Sequence, residues 1–81
     1  MSGTTPTDED IRRIARRYPK VVFWSDEDGC YIGKCPVLTM GGCHGDSAAG
    51  VLTEIEQIAE DWVLIHLRDG MPLPEPHAAA A

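Results

Sequence analysis

No apolar segment of this chain approaches the roughly 20 consecutive residues that a transmembrane helix requires. The opening residues, MSGTTPTDED, also lack the basic region and the apolar region of a secretory signal peptide. The chain has three cysteines, whereas a secreted disulfide scaffold normally has an even number so that all of them pair. The sequence therefore predicts a cytoplasmic protein whose thiols remain free in a reducing compartment.

Basic residues are scarce, with 7 lysines and arginines against 13 aspartates and glutamates and a formal net charge of −6. Nonspecific binding to nucleic acid depends on lysines and arginines that neutralise phosphates, so this charge balance argues against it. An acidic chain suits a basic partner, although the same charge is also explained by solubility alone.

The chain has 81 residues, which is enough for one domain. A domain of this size buries only about 60% of the surface that its unfolded chain exposes, and such chains often depend on a staple or on oligomerisation. Hydrophobic residues make up 43% of the chain, as is ordinary for a globular protein. We therefore expect a single domain over residues 1–76, with a flexible segment over 1–7 and a disordered tail over 77–81.

A short amphipathic helix is predicted over residues 8–17. Thr7 can cap this helix, acidic residues follow at the positive end of the helix dipole, and Pro19 ends it. Its polar side carries four arginines, which we expect to form a solvated or self-pairing face: Arg12, Arg13, Arg16 and Arg17.

Three short strands are predicted to form a β-meander over residues 20–45. KVVFWS is rich in β-branched and aromatic residues, DEDG is a turn sequence, and CYIGKC returns as the second strand. Apolar residues point to both faces of this hairpin, which predicts a sheet that is covered on both sides. Leu38 and Met40 are expected to pack inward, and a short third strand is expected through Cys43 and His44.

A long amphipathic helix is predicted over residues 47–69, with Gly70 just after its end and Pro72 preventing its continuation. The predicted fold is therefore α+β: a three-stranded antiparallel β-meander packed against one long helix, with a short N-terminal helix. The helix carries a wide apolar stripe formed by Val51, Leu52, Ile55, Ile58, Ala59, Trp62, Val63, Ile65 and His66.

The cysteines form a C-x4-C-x7-C-H pattern with one histidine: Cys30, Cys35, Cys43 and His44. This spacing lacks the tight C-x2-C turn of most structural zinc sites, and cysteines five residues apart on a strand point to opposite faces. The thiols are therefore interpreted mainly as small buried hydrophobic residues. A zinc site, a redox sensor and a cysteine–histidine catalytic pair are less favoured alternatives, and no catalytic residue is assigned.

An ordered set of motifs lies over residues 18–76. The set comprises an acidic hairpin turn, a strand that ends in Cys-Pro, a Gly-Asp-Ser segment, a long helix with a tryptophan near its end, and a DG-x-P-x-P segment. In this chain these are residues 26–29, Cys35-Pro36, Gly45-Asp46-Ser47, Trp62, and Asp69, Gly70, Pro72 and Pro74. In this order and spacing, the motifs resemble the N-terminal domain of HicB-like antitoxins.

The resemblance implies a partial ribonuclease-H-like fold with no nuclease active site and no cofactor. Such domains bind and neutralise a small basic HicA-type ribonuclease, and they form homodimers or higher oligomers. Family members usually continue after the PLPEP segment into a DNA-binding domain, which this sequence does not contain, so DNA binding is not expected. The arginine-bearing N-terminal helix is not part of the family pattern, and we expect it to cover a free sheet edge.

The sequence thus favours a non-enzymatic antitoxin-like protein that occludes the active site of a basic ribonuclease. Trp24, Tyr31 and Trp62 are candidate apolar anchors for the partner, although core packing is the more common role for such residues. The carboxylates expected to complement its charge are Asp26, Glu27, Asp28, Glu54, Glu56 and Glu60. The main alternative is a stand-alone homo-oligomeric structural or regulatory module with no toxin partner, and the third is a thiol or zinc protein.

Overall fold

The predicted α+β fold is confirmed by a computed structural model, which describes residues 7–38 and 41–76. A three-stranded antiparallel sheet packs against a long helix, and a short helix precedes the sheet. In chain order the elements are α1 (Asp8–Ala15), β1 (Val21–Ser25), β2 (Cys30–Lys34), β3 (Gly42–Gly45) and α2 (Ala48–Asp69). Three sequence predictions concern residues outside these ranges: the flexible start, the inward packing of Met40 and the disordered tail.

Helix α1 begins where the sequence predicts and ends two residues earlier, at Ala15. The side chain of Thr7 accepts a hydrogen bond from the backbone amide of Asp10, and the Asp10 carboxylate accepts one from the amide of Thr7. These hydrogen bonds with Thr7 lower the pKa of Asp10. The reciprocal pair is a capping box, which fixes the start of a helix too short to be stable alone.

The three strands form a meander in the order β1-β2-β3, as predicted. Val22 pairs with Gly33, which in turn pairs with Cys43, and these three residues form one row across the sheet. The next row along the hairpin consists of Trp24, Tyr31 and Gly45. Because side chains alternate along a strand, both rows project from the same face of the sheet.

Only one face of the sheet is covered within the described chain, so the expectation of a sheet covered on both sides is wrong. Helix α2 contacts all three strands on the face that carries Gly33 and Cys43. Helix α1 packs against α2 and contacts none of the strands, which also makes the expected covering of a sheet edge by α1 wrong. The apolar residues on the opposite side of β1 and β2 therefore lie open.

Helix α2 supplies the centre of the hydrophobic core. Val51, Ile55, Ala59 and Val63 recur every four residues and are almost fully buried. Ser47 caps the N-terminus through its side chain, which accepts a hydrogen bond from the amide of Gly50. No helix in the described part of the chain has the length and apolar character that crossing a membrane would need.

The middle strand and α2 approach each other most closely at Gly33. A Cβ atom on Gly33 would lie 2.7 Å from Cγ1 of Val51, 3.1 Å from Sγ of Cys43 and 3.3 Å from Cβ of Ile55. A glycine at this position allows the helix to lie directly against the sheet. The core therefore has no room for a side chain at the centre of the sheet.

The segment after α2 folds back onto α1. Gly70 adopts a left-handed conformation with φ of 69°, which ends the helix as the sequence predicts. The hydroxyl of Tyr18 then donates a 2.6 Å hydrogen bond to the carbonyl oxygen of Pro74. Tyr18 is buried, and its burial raises the pKa of the phenol. This bond attaches the proline-rich segment to the rest of the domain.

Replacing Gly33 with alanine is expected to destabilise the fold by about 1–3 kcal/mol, because the added methyl group overpacks the interface between β2 and α2. Gly45→Ala is the matched control, since its Cβ would meet a single atom, Cγ2 of Val51, at 3.2 Å. Urea unfolding of both variants measures the difference. Equal losses of stability in the two variants would contradict the close approach at Gly33.

Replacing Tyr18 with phenylalanine is expected to cost about 0.5–1.5 kcal/mol of stability, because the carbonyl oxygen of Pro74 loses its hydrogen-bond donor. Amide hydrogen exchange should become faster in the segment after Gly70. Tyr31→Phe is a suitable control, because Tyr31 lies on the sheet and away from Pro74. Unchanged exchange in the Tyr18 variant would show that this hydrogen bond does not hold the segment.

Candidate functional site

The nine candidate partner-binding residues occupy two parts of the structure. Five of them lie together at the end of the β1–β2 hairpin, and four are spread along α2. We call the first group the hairpin tip; it consists of Trp24, Asp26, Glu27, Asp28 and Tyr31.

A tight four-residue turn builds the hairpin tip. Gly29 adopts φ of 65°, a left-handed conformation that glycine reaches without steric cost, and its amide donates a 2.8 Å hydrogen bond to the carbonyl oxygen of Ser25. The hydroxyl of Ser25 donates to the carboxylate of Asp28 and accepts from the amide of Asp28. These bonds hold the acidic turn in one conformation, with all three of its carboxylates exposed.

An exposed aromatic pair lies directly beside the acidic turn. The rings of Trp24 and Tyr31 form an edge-to-face contact with centroids 5.1 Å apart. The indole nitrogen of Trp24 donates a 2.8 Å hydrogen bond to the carboxylate of Asp26. Tyr31 packs against the core, whereas Trp24 is 50% exposed. The structure thus presents an exposed indole that contacts Tyr31 and the carboxylate of Asp26 at the edge of the acidic turn.

Two of the acidic residues on α2 face positive charges of the chain itself. Glu56 and Glu60 line a cleft between α1 and α2. The other side of that cleft is formed by Arg12, Arg16 and Lys20. Arg12 and Arg16 of α1 therefore share this cleft with two carboxylates of α2, so these carboxylates contribute less free negative charge than the sequence suggests.

The remaining two candidates on α2 do not form a common surface with that cleft. Helical geometry separates residues two positions apart by about 160° around the axis, so Trp62 lies nearly opposite Glu60. Trp62 is 37% exposed, and its ring contacts that of His66 at a centroid distance of 6.0 Å. Glu54 is exposed near Cys43, whose pKa it helps to raise. Both tryptophans are thus largely outside the core, contrary to the more common role expected for them.

The three cysteines are divided between the two sides of the sheet. Cys35 and Cys43 are buried in the core beside α2, where burial raises the pKa of both thiols. Cys30 is half-buried and shares the opposite side with His44. Cys43 and His44 therefore point apart, as the sequence predicts, and the four residues cannot surround one metal ion. Within residues 7–38 and 41–76, no group of three or more potential ligands is placed to bind a metal.

The uncovered side of the sheet was not identified as a surface by the sequence analysis. The apolar character of both sides of the hairpin was the available signal, but it was interpreted as evidence for a second covering layer. We call this surface the open face; it consists of Val21, Phe23, Cys30, Ile32, Lys34 and His44.

Comparisons with protein-family models, with curated proteins and with solved structures gave no match to this chain. The resemblance to HicB-like antitoxins therefore depends on the sequence motifs given above.

Cys30 is expected to react much faster with iodoacetamide in the native protein than Cys35 or Cys43, because the latter are buried and their raised pKa values keep them protonated near pH 8. Mass spectrometry of digested protein locates the label. Cys30→Ser should remove the fast reaction, and unfolding in urea should equalise all three sites. Rapid native labelling of Cys35 would contradict the structure.

Proposed function

We propose that this protein is an antitoxin-like binding protein that neutralises a small basic HicA-type ribonuclease by occluding its active site. In this role it is not an enzyme and needs no cofactor. The hairpin tip is the surface that contacts the ribonuclease. A cytoplasmic location, where such a ribonuclease would meet its RNA, is consistent with three cysteines that are all unpaired.

The observation that carries this proposal is the separation of charge along the hairpin. The tip segment, residues 24–31, contains three carboxylates and no basic residue. Lys20 and Lys34 lie at the other end of the same two strands, because Val21 pairs with Lys34. The carboxylates of the tip are thus far from the lysines of their own sheet and remain available to a cationic partner.

The aromatic pair supplies the second requirement of a binding site, which is an apolar anchor. Tryptophan and tyrosine are enriched among the residues that contribute most to protein–protein affinity. The contact with Tyr31 and the hydrogen bond to Asp26 hold the indole of Trp24 in place before any partner binds. Little side-chain entropy is therefore lost when the ring becomes covered, which favours affinity.

The cleft between α1 and α2 is a weaker candidate surface. Its two glutamates face two arginines and a lysine, so a basic partner would have to compete with charges of the same chain. We therefore place the main contact at the hairpin tip and assign Glu56 and Glu60 to the association of the two helices.

The test co-expresses this chain with the HicA-type ribonuclease that the proposal requires, a short basic protein to be sought in the adjacent reading frames, and purifies the complex. Glu27→Lys is expected to weaken the complex at least about tenfold, and Trp24→Ala by about 30-fold or more. Asp61→Lys on α2 is the matched control, because it makes the same charge change at another exposed carboxylate. Calorimetric titration at two salt concentrations measures affinity and its electrostatic part.

Three results would contradict the proposal. The first is the absence of a complex between this chain and such a basic ribonuclease at low salt. The second is an equal loss of affinity in the Glu27 and Asp61 variants, which would mean that general charge and not the hairpin tip determines binding. Retained ribonuclease activity in the purified complex would refute occlusion even if the two proteins associate.

A further inference from the structure

The open face is an apolar surface with charged ends. Phe23 and Ile32 are cross-strand neighbours at its centre, and Val21 continues the apolar strip along β1. Phe23 is 42% exposed and Val21 is 46% exposed. Among the described elements neither helix lies on this side of the sheet. Exposed apolar strips on a sheet of this kind mark interaction surfaces.

The charges at the two ends of the open face have opposite signs. Lys34 ends β2 on this face, and Asp28 lines its other end beside Cys30 and His44. The row of Phe23, Ile32 and His44 crosses the sheet between these two ends. Rotating a second copy of the chain by 180° about an axis along this row, across the strands, places the positive end of each open face against the negative end of the other. The open face is therefore self-complementary.

We propose that the open face is the interface of a face-to-face homodimer with that two-fold axis. The rotation stacks each strand on its own copy in the opposite direction, so Phe23 and Ile32 of one protomer meet Phe23 and Ile32 of its partner. It also brings Lys34 of each protomer toward Asp28 of the other, with the long lysine side chain spanning the extra distance. Sheets that stack in this way keep their strands within about 30° of each other.

The charge pattern favours a second copy of this chain over an unrelated partner. In a two-fold dimer every contact occurs twice, so the single lysine–aspartate pair is formed at both ends of the interface. The apolar centre is small, since four to five residues per strand and three strands cover only about 16 Å by 14 Å. We therefore expect a weak, concentration-dependent dimer.

This inference does not rest on the proposed function, because it is tested on the isolated chain. Sedimentation velocity between about 1 µM and 1 mM should show a shift from the 8.8 kDa monomer to the dimer. Phe23→Glu is expected to raise the dissociation constant by about 100-fold, because a carboxylate would be buried against its own copy. Leu52→Glu is the matched control, since Leu52 on α2 is also 42% exposed.

A charge exchange tests the orientation of the two protomers. Lys34→Asp and Asp28→Lys are each expected to raise the dissociation constant about tenfold, because each places two like charges together at both ends of the dimer. The double variant should restore the affinity to nearly that of the original chain. Far-UV circular dichroism and the thermal unfolding midpoint establish that each variant is folded.

Three results would overturn the proposal. A monomer at every concentration would mean that the open face does not self-associate. A dimer that Phe23→Glu and Leu52→Glu weaken equally would place the interface elsewhere. A double variant that associates no better than either single variant would show that Lys34 and Asp28 do not meet across a two-fold axis.

Discussion

The close approach of α2 to the centre of the sheet is the constraint on which the rest of this small domain depends. With no side chain on Gly33, Val51 and Ile55 lie directly against the middle strand. An 81-residue chain can bury only one substantial core, and here α2 is its centre, with helix α1 and one side of the sheet packed around it. Ala59 and Val63 extend the same core along α2.

A two-layer arrangement leaves one side of the sheet without a covering element. Helix α1 cannot supply that cover, because Ile11 and Ala15 are buried against α2 and Lys20 donates a hydrogen bond to the carbonyl oxygen of Ala15. The apolar residues of the hairpin therefore divide into two sets with different roles. One set stabilises the monomer, and the other forms the surface that we propose for self-association.

The same hairpin also separates positive from negative charge. Its acidic turn and its two lysines lie at opposite ends of the strands, which gives each end its own electrostatic character. In our proposals, the acidic end contacts a basic ribonuclease mainly through Trp24 and Glu27, and Asp28 points to the open face. The two proposed contacts can thus coexist on one protomer, because they use different sides of the hairpin.

The sequence by itself determined the elements of this protein. The Thr7 cap, the Asp-Gly turn, the four-residue spacing along α2 and the glycine after it act within a few residues of the chain, so local patterns predict them. Only the tertiary structure decided which surfaces are free. Whether Phe23 is covered, and whether Glu56 faces solvent or Arg16, depends on where α1 packs, and that choice arises from contacts between segments about 40 residues apart. Such long-range packing leaves no periodic signal in the sequence.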